Sequence, residues 1–175
     1  ARSTLIPCFQ AHAKELNFEI VAVSDIWNRR RREAQEFFKK EYNQDVKLFR
    51  NNDELYDAKI CDAVIIATAD FQHATHLAES VRAGLDAYCE KPFAETMDDA
   101  KMALKAVKET GKIVQIGSQR RSAPNYHAAH DFIKSGKFIH YNCFIILRSY
   151  TWCSRIFPGS KTCISIATNS KSNII

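Results

Sequence analysis

The sequence has 175 residues, of which 46% are hydrophobic and 26% are charged, a composition typical of a soluble globular domain. No apolar run reaches the roughly 20 residues that span a bilayer, so we expect no membrane association. The net charge is +5, but all 20 acidic residues precede residue 132 and six of the 25 basic residues follow it. Because the excess charge is confined to the C-terminal region, a nucleic-acid-binding face on the folded part is not expected.

The cysteine pattern indicates neither a disulfide framework nor a metal site. None of the six cysteines forms a CxxC pair, and no histidine spacing completes a zinc site. Cys61 and Cys89 lie at predicted strands, where a free cysteine commonly behaves as a small buried hydrophobe. Free thiols favour a reducing compartment, so we expect a cytoplasmic protein. The first residue is Ala1 rather than Met, so we expect the natural start, with any targeting signal, to lie upstream.

The N-terminal half alternates between helical and extended patterns. Apolar residues at spacings of three and four predict a helix from residues 4–6 to Leu16. The β-branched run Glu19–Val23 predicts a buried strand, and helical periodicity returns over Arg30–Tyr42. Val46–Phe49 predicts a short strand, and Asp53 is the predicted cap of a short helix.

The alternation continues in the second half, where Ala63–Ala67 is apolar on both faces, as expected of a central parallel strand. The later predicted elements are helix His73–Ala83, strand Ala87–Cys89, helix Met97–Thr110, strand Ile113–Ile116 and a helix from Pro124 to near Gly136. Such alternation predicts a doubly wound parallel sheet joined by right-handed crossovers.

Charged residues follow the first predicted strand. Asp25 stands where a dinucleotide-binding fold places a carboxylate that accepts hydrogen bonds from the adenosine ribose, although it could instead cap the next helix. In the adjacent run of four arginines, Arg29 could hold the 2′-phosphate of NADP. The run could instead form a solvated helix face that pairs with Glu33 and Glu36.

Two further polar segments follow predicted strands, and ligands of open α/β sheets bind at the carboxyl ends of strands. The first segment contains Thr68, Asp70 and His73, and the second is Glu90-Lys91-Pro92. The Lys91 ammonium could hold ribose or substrate oxygens and assist proton transfer, or it could be an ordinary surface lysine.

Three motifs together resemble the Gfo/Idh/MocA (glucose–fructose oxidoreductase / inositol dehydrogenase) family: ATADFQHATH, EKP and QIGSQRR, within a match over roughly residues 2–136. The resemblance implies a Rossmann domain followed by an antiparallel α/β substrate domain. It implies that Lys91 lies beside the nicotinamide ribose and the substrate, and that Asp25 binds the adenosine ribose. The other residues implied to line the cofactor groove are Thr68, Asp70, His73, Glu90, Gln119 and Arg120.

The predicted fold class is therefore α/β, a Rossmann-type doubly wound parallel sheet that lacks its first strand. The GxGxxG loop and the strand before it are absent, because the sequence begins at the helix that should follow them. We assign residues 1–136 to an N-terminally truncated NAD(P)-binding domain. Residues 137–175, with one or two strands over Phe138–Tyr150, are assigned to an incomplete or aberrant start of a second α/β domain.

The function implied by the resemblance is NAD(P)-dependent oxidation or reduction of a sugar or cyclic polyol CH–OH group, with Lys91 as the catalytic residue and NAD or NADP as cofactor. The Asp/His pair that this family carries in its second domain has no match in residues 150–175. Two alternatives stay open: a glycoside hydrolase that uses bound NAD for transient oxidation, and a non-catalytic module that binds a nucleotide or a partner through its unfinished sheet. The expected partners are a small sugar or polyol and a second copy of the chain.

Overall fold

The computed structural model describes residues 5–136 and 161–165. The helices are α1 Leu5–Leu16, α2 Asn28–Tyr42, α3 Asn52–Asp57, α4 His73–Arg82, α5 Met97–Thr110 and α6 Pro124–Lys134. The strands are β1 Glu19–Ser24, β2 Lys47–Phe49, β3 Ala63–Ile66, β4 Asp86–Glu90, β5 Val114–Gly117 and β6 Lys161–Ser165. Short 3-10 turns occupy Asp70–Gln72 and Gln119–Ser122. No helix of the described part has the length and apolar character needed to cross a membrane.

Helix ends follow local side-chain chemistry. The Thr96 hydroxyl accepts the Asp99 N–H at 3.1 Å and caps α5, whose other end is closed by Gly111 in the left-handed conformation. The cap predicted at Asp53 is wrong, because the Asn51 side chain accepts the Glu54 N–H at 2.8 Å and thereby caps α3. Asp53 instead lies in the first turn of that helix, where the helix dipole favours a negative charge.

The described strands form a single parallel sheet in the order β2-β1-β6-β3-β4-β5. The α/β class and the parallel sheet predicted from the alternation are confirmed. The position between β1 and β3 is occupied by β6, Lys161–Ser165. The predicted strands over Phe138–Tyr150 lie outside the described residues, and the domain division at residue 136 stays a prediction.

Helices cover both faces of the sheet, as doubly wound folds require. On one face, Ile6 of α1 and Phe38 of α2 pack with Ile20 and Ile65 of the strands in one buried cluster. On the other face, the buried cluster joins strand residues such as Ile66 to apolar residues of α4 and α5. Because the strands run parallel, their carboxyl ends all lie at one end of the sheet, which we call the carboxyl edge. The helices cover the two faces of the sheet, so the carboxyl edge is the part left free.

Candidate functional site

A cavity of about 850 Å³ lies at this carboxyl edge, and seven of the nine predicted site residues line it. These seven are Thr68, Asp70, His73, Glu90, Lys91, Gln119 and Arg120. They lie at or just after the carboxyl ends of β3, β4 and β5, so the parallel pairing of these strands brings them to one place. The rest of the lining is mainly apolar and comes largely from α1, through residues that include Leu5 and Phe9.

Asp25 lines a smaller adjoining cavity of about 220 Å³, which meets the large cavity at Thr68. Asp25 is only 4% exposed, and its Oδ1 accepts the Trp27 N–H at 2.7 Å. The Asp25 carbonyl oxygen accepts a hydrogen bond from the Arg31 guanidinium. The N-cap position of α2 is Trp27, so the alternative of Asp25 as that cap is not observed. Asp25 and Lys91 therefore belong to adjacent parts of one edge rather than to separate surfaces.

Arg29 contacts neighbours on its own helix. Its Nε lies 3.3 Å from Glu33, and its guanidinium lies 4.2 Å from the centre of the Trp27 ring. Arg30 also pairs with Glu33, at 2.8 Å. These contacts match the helix-face interpretation, and neither of the two cavities at the carboxyl edge has Arg29 in its lining. A contact between Arg29 and an NADP 2′-phosphate stays a prediction.

His73 connects two of the loops. The side chain is 1% exposed, its Nδ1 lies 2.7 Å from the Pro92 oxygen, and its Nε2 lies 3.2 Å from the Thr68 oxygen. A neutral imidazole has one N–H, so it donates to one of these carbonyls at a time. The ring therefore lies between the loop after β3, which holds Thr68, and the turn that follows Lys91, whose peptide bond to Pro92 is cis.

A cluster that the motifs did not indicate lies at the ends of β4 and β5. The Gln119 side-chain amide donates to the Tyr88 hydroxyl at 3.0 Å and to the Glu90 carboxylate. A Cβ at Gly117 would lie 2.7 Å from the Tyr88 hydroxyl oxygen, so only glycine leaves room for this arrangement. The sequence analysis did not select Tyr88 or Gly117 as site residues. The available signal for Tyr88 was its alternation with Cys89 along β4, since neighbouring residues of a strand point to opposite faces of the sheet.

Phe9 of α1 was also not predicted as a site residue, because its spacing within the helix indicates only a core position. Its ring meets the Tyr88 ring edge-on, with centroids 5.1 Å apart and planes at 81°. The contact joins the apolar wall of the large cavity to the polar cluster.

Among the described residues, no three His, Cys, Asp or Glu side chains gather at a site that could hold a metal.

Two titratable groups with shifted pKa values, His76 and Glu79, line the smaller cavity beside Asp25. Burial lowers the pKa of His76 below its ordinary 6.5, and the nearby His73 acts in the same direction. Burial raises the pKa of Glu79 above 4.5, and Asp53 adds to that effect. His76 Nδ1 lies 3.1 Å from the Thr68 hydroxyl, which can donate to the neutral ring.

We expect His76 to make the protein less stable in mild acid. Because the folded state disfavours the charged ring, the unfolded state binds more protons near pH 6.5, and the free energy of unfolding falls as pH drops through that value. In urea titrations at pH 7.5, 6.5 and 5.5, this loss should be smaller in His76→Gln, which cannot titrate. Glu79 remains in both proteins, so the difference between them isolates His76. The matched control is His127→Gln, and an equal loss in His76→Gln and wild type would contradict the prediction.

The described residues fit a dinucleotide. A long groove at the carboxyl ends of parallel strands offers a carboxylate at Asp25, polar side chains along its floor and an ammonium at Lys91. Helix α1 also lines this groove, from its first residue, Leu5, to its last, Leu16.

Comparison with known proteins gives a family match. The model of an oxidoreductase family with an NAD-binding Rossmann fold, GFO_IDH_MocA, matches residues 2–118. Inositol 2-dehydrogenase of Rubrobacter xylanophilus is 31% identical over 131 residues, which are 71% of this chain and 36% of that enzyme. The chain therefore spans about a third of the length of the curated relatives it matches.

Solved structures share the fold. An oxidoreductase from Thermotoga maritima superposes with a TM-score of 0.68 at 24% identity, covering 78% of this chain and 40% of that one. The WlbA dehydrogenase from Bordetella pertussis, in complex with NADH and UDP-GlcNAcA, has a TM-score of 0.63 at 23% identity and covers 75% and 38%. At these identities the likeness shows the fold alone. The family model, whose description is an NAD-binding Rossmann fold, confirms the predicted cofactor class, a nicotinamide dinucleotide.

Proposed function

Because the chain belongs to the Gfo/Idh/MocA oxidoreductase family, we propose that it is the NAD(P)-binding part of a dehydrogenase that acts on a CH–OH group of a sugar or cyclic polyol. The observation that carries the proposal is the single cavity lined by seven residues selected from sequence, with Asp25 next to it. The Rubrobacter relative is an inositol 2-dehydrogenase, which favours a cyclic polyol as substrate class. The same relative favours a dehydrogenase over the glycoside hydrolase alternative.

Each part of the groove has a proposed role. Asp25 accepts hydrogen bonds from the adenosine ribose, and its bond to the Trp27 N–H orients the carboxylate for this purpose. The N-terminus of α1 faces the phosphates. The nicotinamide, when bound, supplies the hydride chemistry, while the protein positions the reacting groups.

Lys91 is the proposed catalytic residue. It is exposed at the mouth of the large cavity, where its ammonium can hold the oxygen of the reacting hydroxyl and assist the loss of its proton. His73 lies between the Pro92 and Thr68 carbonyl groups and so packs between the turn after Lys91 and the Thr68 loop. Tyr88, Glu90 and Gln119 form the polar boundary next to the lysine.

We propose that residues 137–175, apart from β6, are an incomplete or aberrant start of a second domain, that the protein is cytoplasmic and that it can self-associate. The sugar or polyol, the preference between NAD and NADP and the activity of the whole protein are likewise proposals, because the chain spans about a third of its relatives.

The first test is an NADH fluorescence titration of wild type, Asp25→Ala and Asp25→Asn. We expect Asp25→Ala to weaken NADH binding about 10- to 100-fold, the effect of removing a hydrogen bond to a charged group. Asp25→Asn keeps an acceptor for the Trp27 N–H and should lose affinity while its thermal unfolding stays close to wild type. The matched control is Asp131→Ala on α6, away from the groove. Unchanged NADH affinity in both Asp25 variants would show that Asp25 is not part of the cofactor site.

A further inference from the structure

The middle of the sheet is built from the far end of the described chain. Strand β6 lies between β1 and β3 and pairs in parallel with both, so β1 and β3 do not pair with each other. In the classic doubly wound order 3-2-1-4-5-6, this is the position of the first strand. Here the element order leaves that position to residues that follow α6, at the opposite end of the chain.

The rest of the fold needs a strand in this position. Val23 of β1 and Val64, Ile65 and Ile66 of β3 are fully buried. Without β6, the backbone N–H and C=O groups on the inner edges of both strands would lose their partners inside the protein, which is costly. One buried apolar cluster contains Ile20 of β1 together with Ile65 of β3, so the core is continuous across the strand that separates them.

The pairing of β6 is regular on one side and irregular on the other. Along β3, consecutive residues from Ala63 to Ile66 pair with consecutive residues from Thr162 to Ser165. Along β1, Ile20 pairs with Thr162 but Ala22 pairs with Cys163, so Val21 is skipped. Such a bulge absorbs a mismatch of register. The gap between β1 and β3 therefore accommodates a strand that does not pair with both neighbours residue for residue.

The central strand also sets the geometry of the carboxyl edge. Asp25 follows β1, and Thr68 lies in the loop after β3. With one strand between them, β1 and β3 are separated by two strand spacings, about 9.6 Å, whereas directly paired strands lie about 4.8 Å apart. The distance between the ribose-binding carboxylate and the Thr68 loop therefore depends on a filled gap.

We propose that the gap between β1 and β3 is a binding site for one extended peptide in parallel orientation. Its occupant is Lys161–Ser165 of the same chain, and the cofactor groove takes its shape only when the gap is filled. The statement about the groove rests on the proposed function, whereas the strand site itself does not.

The test uses the full chain with Cys163→Pro. Proline removes a backbone donor from the middle of β6, whichever neighbour that donor faces, and is poorly tolerated in a central strand. The matched control Cys163→Ala keeps the donor. Hydrogen exchange of residues 19–24 and 63–66 should become roughly 100-fold faster in the proline variant and stay near wild type in the alanine variant. Exchange of β5, at the far edge of the sheet, is the internal reference.

Rescue by a peptide makes the result specific. An acetylated and amidated peptide of residues 160–166, with alanine in place of Cys163, is added to the proline variant, and a peptide with proline at that position serves as control. The first peptide should restore slow exchange in β1 and β3, and the control peptide should not. If the proline variant unfolds as a whole, recovery of its circular dichroism signal with the first peptide is the expected result instead.

Three outcomes would overturn the proposal. Unchanged exchange in Cys163→Pro would show that β6 is not needed between β1 and β3. Failure of the peptide to restore either signal would show that the gap is not a peptide site. Loss of protection on dilution of the wild type would assign the occupant to a second copy rather than to the same chain. NADH titrations of the same proteins distinguish the strand site from the proposed cofactor binding. Hydrogen exchange reports on the strand site even if no cofactor binds.

Discussion

Replacing Lys91 with methionine is expected to lower the rate of NAD(P)+ reduction with myo-inositol by about 10²- to 10⁴-fold, the usual contribution of a positioned proton-transfer group. Methionine keeps much of the length of the side chain but has no ammonium to hold the hydroxyl oxygen. Lys91 is exposed in the free groove, so the substitution leaves the core untouched and should leave thermal unfolding near wild type. NADH affinity should change far less than turnover.

The matched control for this experiment is Lys101→Met on α5, where the lysine is 70% exposed and lies 3.8 Å from Asp98. It removes the same charge away from the groove and should keep wild-type turnover. Equal turnover in Lys91→Met and wild type would contradict a catalytic role for Lys91. If the wild-type chain binds NADH but oxidises no polyol, only the cofactor-binding part of the proposed function applies to this chain.

Phe38→Ala is expected to lower the free energy of unfolding by about 3–5 kcal/mol, the range for deleting a buried aromatic ring. Phe38 is fully buried between α2 and the sheet, and its ring lies 5.8 Å from the Phe37 ring and 5.9 Å from the Tyr42 ring. Since domains of this size are stable by only about 5–15 kcal/mol, the variant should unfold at much lower urea concentration.

Two further variants test the cause of that loss. Phe38→Leu fills most of the space and should cost about 1.5 kcal/mol or less. Phe132→Ala removes a ring of the same size from α6, where the residue is half exposed, and should change stability by less than about 1 kcal/mol. Urea unfolding followed by circular dichroism compares all three, and equal losses in Phe38→Ala and Phe132→Ala would argue against the buried cluster as the main source of stability.

Local signals predicted the helices and strands well where the chemistry is local. Thr96 and Gly111 bound α5 on both sides, and the predicted range Met97–Thr110 is the observed one. At α3 the same type of reasoning chose Asp53, although Asn51 is the cap. Both residues can cap a helix, and only the backbone conformation of the turn before α3 distinguishes them.

The site was predictable to the extent that it depends on strand ends. Thr68 follows the buried strand β3 and Lys91 follows the half-buried strand β4, and parallel strands bring such residues to the same edge. Contacts across loops were not predictable in this way. The His73 bridge to Pro92 and the close approach of Tyr88 to Gly117 join residues that are distant in the sequence, and no local pattern encodes such contacts.

The sequence by itself determined the alternation of helices and strands, the buried character of β3 and the residues placed at the strand ends. The tertiary structure alone decided which strands are neighbours and which chain segment fills the middle of the sheet. Ala63 pairs with Thr162 across almost a hundred intervening residues. Propensity and periodicity act over a few residues, whereas pairing depends on the burial and backbone hydrogen bonding of the whole sheet, so the partner of a strand becomes evident only when the chain has folded.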